Sequence, residues 1–101
     1  MRKTLFAVLI TIATVMGATA QTRLVGRLVS VDQQAIEGAT VTLVNQGIST
    51  NTNDEGKFAL TYLDAIDEEV IVEAYGYMSD IILVQLIENQ LTDLGDITLQ
   101  T

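Results

Sequence analysis

The sequence predicts an all-β fold, a small two-layer sandwich of about seven short strands, and three observations predict it. Apolar residues recur with a period of two along several runs, which gathers them on one face of a pleated strand. Val, Ile and Thr dominate those runs, and β-branched side chains suit a pleated surface. Gly, Asn and Asp cluster between the runs at regular spacing, where tight turns need them.

Residues 1–20 precede this pattern and differ from it. Arg2 and Lys3 are followed by an apolar run of 12 residues, Leu5–Met16, and then by Gly17-Ala18-Thr19-Ala20. A charged start, a short apolar segment and a small-residue cleavage site describe a cleavable signal-peptide helix. A transmembrane span needs roughly 20 apolar residues, which this run does not reach. No Cys follows it, which argues against a lipid-anchored protein. The mature domain is then residues 21–101, exported and without a transmembrane segment.

The strands follow in order. Leu24–Val31 is a nearly continuous apolar run, as in a strand covered on both faces. Asp32–Gly38 connects it to Thr40-Val-Thr-Leu-Val44, which alternates. Asn45-Gln46-Gly47 and Asn53-Asp54-Glu55-Gly56 read as tight hairpin turns, with each Gly free to take positive φ. Lys57–Tyr62 places Phe58, Leu60 and Tyr62 on one face. Asp64–Glu69 reads as an acidic loop, and Val70–Ala74 puts Val70, Val72 and Ala74 on one side. Asp80–Ile87 is a second continuous apolar run. A helix near 81–91 is its alternative, and the β-branched start opposes that. Asp96–Gln100 closes the domain with Ile97 and Leu99 together.

Composition excludes several functions. The chain has no His and no Cys, which removes the commonest general base, thiol chemistry and disulfides. Ser30, Ser49 and Ser79 have no imidazole to activate them, and Lys57 is the one lysine after residue 20. The reading is therefore non-enzymatic, with no cofactor implied. Three cations, Arg23, Arg27 and Lys57, face all 13 carboxylates in residues 21–101. That balance opposes binding to nucleic acid, which needs a basic face.

Three motifs admit a ligand. Asn51–Gly56 begins like a calcium loop, but the twelfth position, where a bidentate carboxylate belongs, is Tyr62, so a turn closed by Asx side chains is the better reading. Asp64, Asp67, Glu68 and Glu69 crowd one segment and are weak candidates for calcium. Tyr75 and Tyr77 flank Gly76 and, if extended, point to one face, where they would hold a sugar ring or cap the core.

Five segments together carry a family resemblance. They are Leu24-x-Gly26-x-Leu28, Ile36-x-Gly38-Ala39-x-Val41, Thr52-Asn53-Asp54-Glu55-Gly56-Lys57-Phe58, Ala74-Tyr75-Gly76-Tyr77 and Leu94-Gly95-Asp96-Ile97-x-Leu99. Their order and spacing over residues 23–99 resemble the carboxypeptidase regulatory-like domain, also found at the N-terminus of TonB-dependent outer-membrane receptors. The resemblance implies a Greek-key, transthyretin-like (prealbumin-like) β-sandwich. It implies that Gly38 ends the first connection, that Gly56 closes a hairpin, that Phe58 plugs the core and that Gly76 lets two aromatics approach. Ala35-Ile36 replaces the family's Pro-hydrophobic pair, Thr52-Asn53 its Thr-Asp, and Ser30 its Asp. The resemblance carries no catalytic residue. It implies an exported, envelope-associated module that contacts another protein. An open sandwich leaves edge strands unpaired, so pairing through Asp80–Ile87 is one route. The alternative is a carbohydrate-binding module using Tyr75 and Tyr77.

If residues 1–20 are a signal peptide, mass spectrometry of the protein recovered outside the cytoplasm is expected to find Gln21 as the first residue. Recovery of the full chain there would identify a retained anchor instead.

Overall fold

The computed structural model describes residues 21–101; the expected signal peptide at 1–20 lies outside the described residues. Seven strands form: β1 (Arg23–Val29), β2 (Thr40–Leu43), β3 (Ile48–Asn51), β4 (Lys57–Leu60), β5 (Asp67–Glu73), β6 (Asp80–Gln85) and β7 (Leu91–Thr98). They make two sheets, one ordered β4-β1-β7 and one ordered β3-β2-β5-β6. Every pairing is antiparallel except that of β1 with β7, which is parallel.

The core lies between the sheets and follows the alternation. Leu24 and Leu28 of β1, Val41 and Leu43 of β2, and Val70 and Val72 of β5 are all fully buried. Each such side chain contributes about 1.5–3 kcal/mol by leaving water. Phe58 and Leu60 come inward from β4, and Leu99 closes the core after β7. Gly26 stands opposite Phe58 in the ladder, and a Cβ at Gly26 would lie 2.7 Å from the ring's Cζ. The bare glycine thus makes room for the ring. On β1's other side the pairing shifts register between Val25 and Arg27, where Leu94 and Gly95 bulge from β7. Gly95 sits at φ 69°, and its N–H donates to Asp93 Oδ1 at 2.8 Å.

Several expectations need correction. Asn53–Gly56 is not a hairpin: β3 pairs with β2 and β4 with β1, so this turn carries the chain from one sheet to the other. Asn45–Gly47 does close a hairpin, between β2 and β3. Strand β3 itself follows no apolar alternation and is held by its pairing with β2. Tyr62 does not share the face of Phe58 and Leu60; β4 ends at Leu60, and Tyr62 takes φ 56° with 83% of its surface exposed. The acidic segment is a loop only to Ile66, since Asp67 begins β5. Asp80–Ile87 forms a strand at a sheet edge, as expected, but it is not covered on both faces, since Ile81 and Leu83 are exposed.

Glycine 56 combines two constraints. It takes φ 77°, and a Cβ there would lie 2.5 Å from the carbonyl oxygen of Leu28. Gly47 has φ 68° with open space around it. Gly47→Ala should therefore cost about 1 kcal/mol from backbone strain alone. Gly56→Ala should cost about 3 kcal/mol or more, because the backbone it strikes must also move. Urea unfolding of both variants checks the order.

Candidate functional site

Four strands lie at sheet edges, β3 and β6 in one sheet and β4 and β7 in the other. An open edge offers unpaired N–H and C=O groups to another chain, and proteins usually blunt it. β3 and β4 are four residues each, β4 carrying Lys57. β7 is bulged at Gly95 and carries Asp93 and Asp96. β6 is six residues long, Asp-Ile-Ile-Leu-Val-Gln, pairs with β5 without a register shift, and has no Gly, Pro or Lys.

The geometry of β6 shows which groups are free. The N–H of Ile81 donates to Asp80 Oδ1 at 2.9 Å, so it points away from β5. Backbone direction alternates along a strand, so Leu83 and Gln85 also turn their N–H and C=O groups to the open side. Ile82 and Val84 pack half-buried against the core. Ile81 and Leu83 face outward and are 57% and 75% exposed. Beyond Gln85, the buried Leu86 pins the strand, its N–H donating to Ile66 O at 3.1 Å. A groove of about 380 Å³ lies beside it, lined by Asn45, Asp67, Glu69, Leu83 and Gln85 among others.

Charge is unevenly divided. Arg23 and Arg27 lie on β1 and Lys57 on β4, all in the three-stranded sheet. Arg27 donates to Glu55 O at 2.9 Å and pairs with Asp96 at 3.3 Å; Lys57 pairs with Glu55 at 3.6 Å. The strands of the four-stranded sheet carry Asp67, Glu68, Glu69, Glu73 and Asp80 and no cation. A wider concavity of about 640 Å³ lies over Gly26, Ala59 and Gly95 on the other sheet. Of its charged groups, Arg27, Lys57 and Asp96 are already in ion pairs within this chain and Asp93 accepts the Gly95 N–H, so β6 remains the better site.

The four carboxylates singled out in the sequence do not converge. Glu68 shares the inward parity of Val70 and Val72 and is 2% exposed. Its Oε1 accepts the N–H groups of Asn45 at 2.7 Å and Glu69 at 2.9 Å, and its Oε2 that of Gln46 at 3.1 Å. It therefore fastens β5 to the β2–β3 turn. Asp64, Asp67 and Glu69 are exposed. Among the described residues no group of three or more acidic side chains is placed to hold a metal ion. Alternation of Glu68 with Val70 and Val72 is the signal that places it inward.

The tyrosines part company too. Residues 75–77 form a turn, with Gly76 at φ 86° and Tyr77 N–H donating to Ala74 O at 3.1 Å. Tyr75 is fully exposed, whereas Tyr77 packs against the core. Both border a shallow cleft with Gly38, Thr40, Glu73 and Ser79. Nothing lies within 4 Å of a Cβ built on Gly76, so its dihedral and not a close approach calls for glycine.

The remaining motif residues are structural. Asn53 Oδ1 accepts from Glu55 and Lys57, each at 2.9 Å, and Asp54 is exposed beside it. Gly38 takes φ 77° and donates to Thr52 O at 3.1 Å. The buried Thr52 hydroxyl donates to Ile36 O at 2.6 Å and accepts from Ala39 at 2.9 Å. Ser30 Oγ accepts from Asp32 and Gln34.

Comparison with known proteins agrees with this architecture. The family model of the carboxypeptidase regulatory-like domain matches residues 23–100. Solved structures share the fold at low identity. The Bacillus anthracis TIE protein superposes with a TM-score of 0.68 at 15% identity, over 81% of this chain and 17% of its own. A streptococcal ancillary pilin gives 0.63 at 18%, over 91% and 35%. One chain of a type II cohesin–X-dockerin complex from Acetivibrio cellulolyticus gives 0.63 at 18%, over 77% and 56%. The chain thus spans about half or less of each of these. No curated protein matches the sequence.

Removing the Glu68 carboxylate strands three backbone donors. Glu68→Ala should therefore cost about 2–3 kcal/mol in urea unfolding, while Glu69→Ala on the outer face should change stability by less than about 0.5 kcal/mol.

Proposed function

The chain belongs to the carboxypeptidase regulatory-like domain family, and we propose that it is an exported, non-enzymatic module that binds another protein of the cell envelope through the open edge of β6. One observation carries this reading: β6 is an unbulged six-residue edge with Ile81 and Leu83 outward and the ladder groups of Leu83 and Gln85 turned to the open side, while the other three edges are short or bulged. An extended segment from a partner adds to such an edge as a further strand; main-chain hydrogen bonds supply affinity and alternate side chains supply selectivity. The absence of His and Cys supports the non-enzymatic part. The segment at 1–20 supports export, with residues 21–101 as the mature domain and the periplasm or the cell surface as its place of work. A pilin and a chain of a cohesin–dockerin complex share the fold, which is in keeping with a module that contacts another protein. A glycan-binding role draws support from the exposed ring of Tyr75 beside Glu73 and Ser79, but Tyr77 is engaged by the core and no two-ring platform forms.

Photo-crosslinking in intact cells tests the reading. A benzophenone side chain at position 83 is expected to yield one discrete envelope protein, and the same probe at Ser49 on β3 to yield none. Equal products from both edges, or none from position 83, would overturn it.

A further inference from the structure

The same edge specifies the chemistry of its occupant, and this step rests on the interaction reading above. We infer that β6 receives an extended segment of another protein in which Lys or Arg alternates with apolar residues, the basic side chains lying on the outer face of the sheet.

A strand added to β6 lies about 4.8 Å beyond it, and its side chains on the outer face stand beside Ile81, Leu83 and Gln85. Across β6 from those positions come Ile71, Glu69 and Asp67, their ladder partners on β5. The carboxylates are therefore about 10 Å from the added strand, with Leu83 between. A Lys or Arg spans that distance with its alkyl stem on Leu83 and its charge at Glu69, the usual way such side chains cover apolar surface. Its inward neighbours meet Ile82 and Val84, which are only half-buried and accept apolar side chains.

Charge complementarity selects the basic segment over the alternatives. No cation on this sheet neutralises Asp67, Glu69 or Glu73, because every cation among the described residues sits on the other sheet. An acidic strand would meet repulsion along its length. A second copy of this chain would bring the same carboxylates and a like net charge to the contact. Asp80 sets the limit of the added ladder, since its carboxylate already holds the N–H of Ile81. The free groups begin beyond it, at Leu83 and Gln85.

The mature chain, titrated with synthetic peptides of about eight residues, tests this by NMR. A Lys-Val alternating peptide is expected to shift the amides of residues 80–86 and to slow hydrogen exchange at Leu83 and Gln85. Binding should weaken about tenfold on raising salt from low to physiological concentration, and by a similar factor in Glu69→Lys, whose spectrum reports that the fold is intact. A Glu-Val peptide should not bind, and a central proline in the Lys-Val peptide should abolish binding by removing a ladder donor. Equal binding of both alternating peptides, tolerance of the proline, or shifts spread over both sheets would overturn the proposal. So would self-association through β6 in place of peptide binding. A crosslink from position 83 that persists despite such a failure would keep the module and reject the basic partner; loss of the crosslink as well would reject both.

Discussion

Both sheets depend on one corner. There the hydroxyl of Thr52 donates to Ile36 and accepts from Ala39, while the backbone of Thr52 exchanges further bonds with Gly38 and Ala39. This ties the end of β3 to the connection between β1 and β2. Four residues on, Gly56 presses its backbone against Leu28, whose N–H donates to Gly56 O at 2.8 Å. Three segments far apart in sequence therefore meet within one turn. Their polar groups are buried, so each must find a partner or be lost as stability. The relative placement of the two sheets, and with it the core between them, follows from that arrangement.

A domain of this size without disulfides relies on such contacts and on its packing. The close fit of Phe58 over Gly26 and the inward carboxylate of Glu68 show two ways of doing so. One fills the centre of the sandwich with a ring; the other satisfies the orphan amides of a hairpin turn at its end. Ion pairs contribute little by comparison, since Arg27–Asp96 and Lys57–Glu55 are both solvent-exposed.

The fold was legible in the sequence where burial falls on one face. Val70 and Val72, or Phe58 and Leu60, alternate with polar neighbours because one side of their strands meets the core. What was not legible is what covers a strand's outer face. Ile81-Ile82-Leu83-Val84 has the composition of a strand covered on both faces, yet Ile81 and Leu83 are exposed on the outer face of a two-layer sandwich, because layering is set by long-range packing and not by local pattern. The turn at Asn53–Gly56 shows the same limit: its chemistry marks a reversal, but its flanks pair with different partners. Tyr62 and Tyr75 depart from their expected faces because a positive φ or a turn breaks the alternation on which a face is inferred, whereas Tyr77 caps the core. At the candidate site, the open edge came from a residue run that was readable, while the one-sided charge of its sheet emerged only from topology.

The parallel pairing of β1 with β7 has a consequence for the order of assembly. Arg23 stands beside Leu91, so the first strand of the domain is completed by the last. A chain emerging residue by residue from a ribosome holds β1 without that neighbour until the whole domain has emerged. Contacts this distant in sequence also carry the largest loop-closure entropy and are slow to form. The topology thus delays commitment to the native state until the last strand of the domain has emerged.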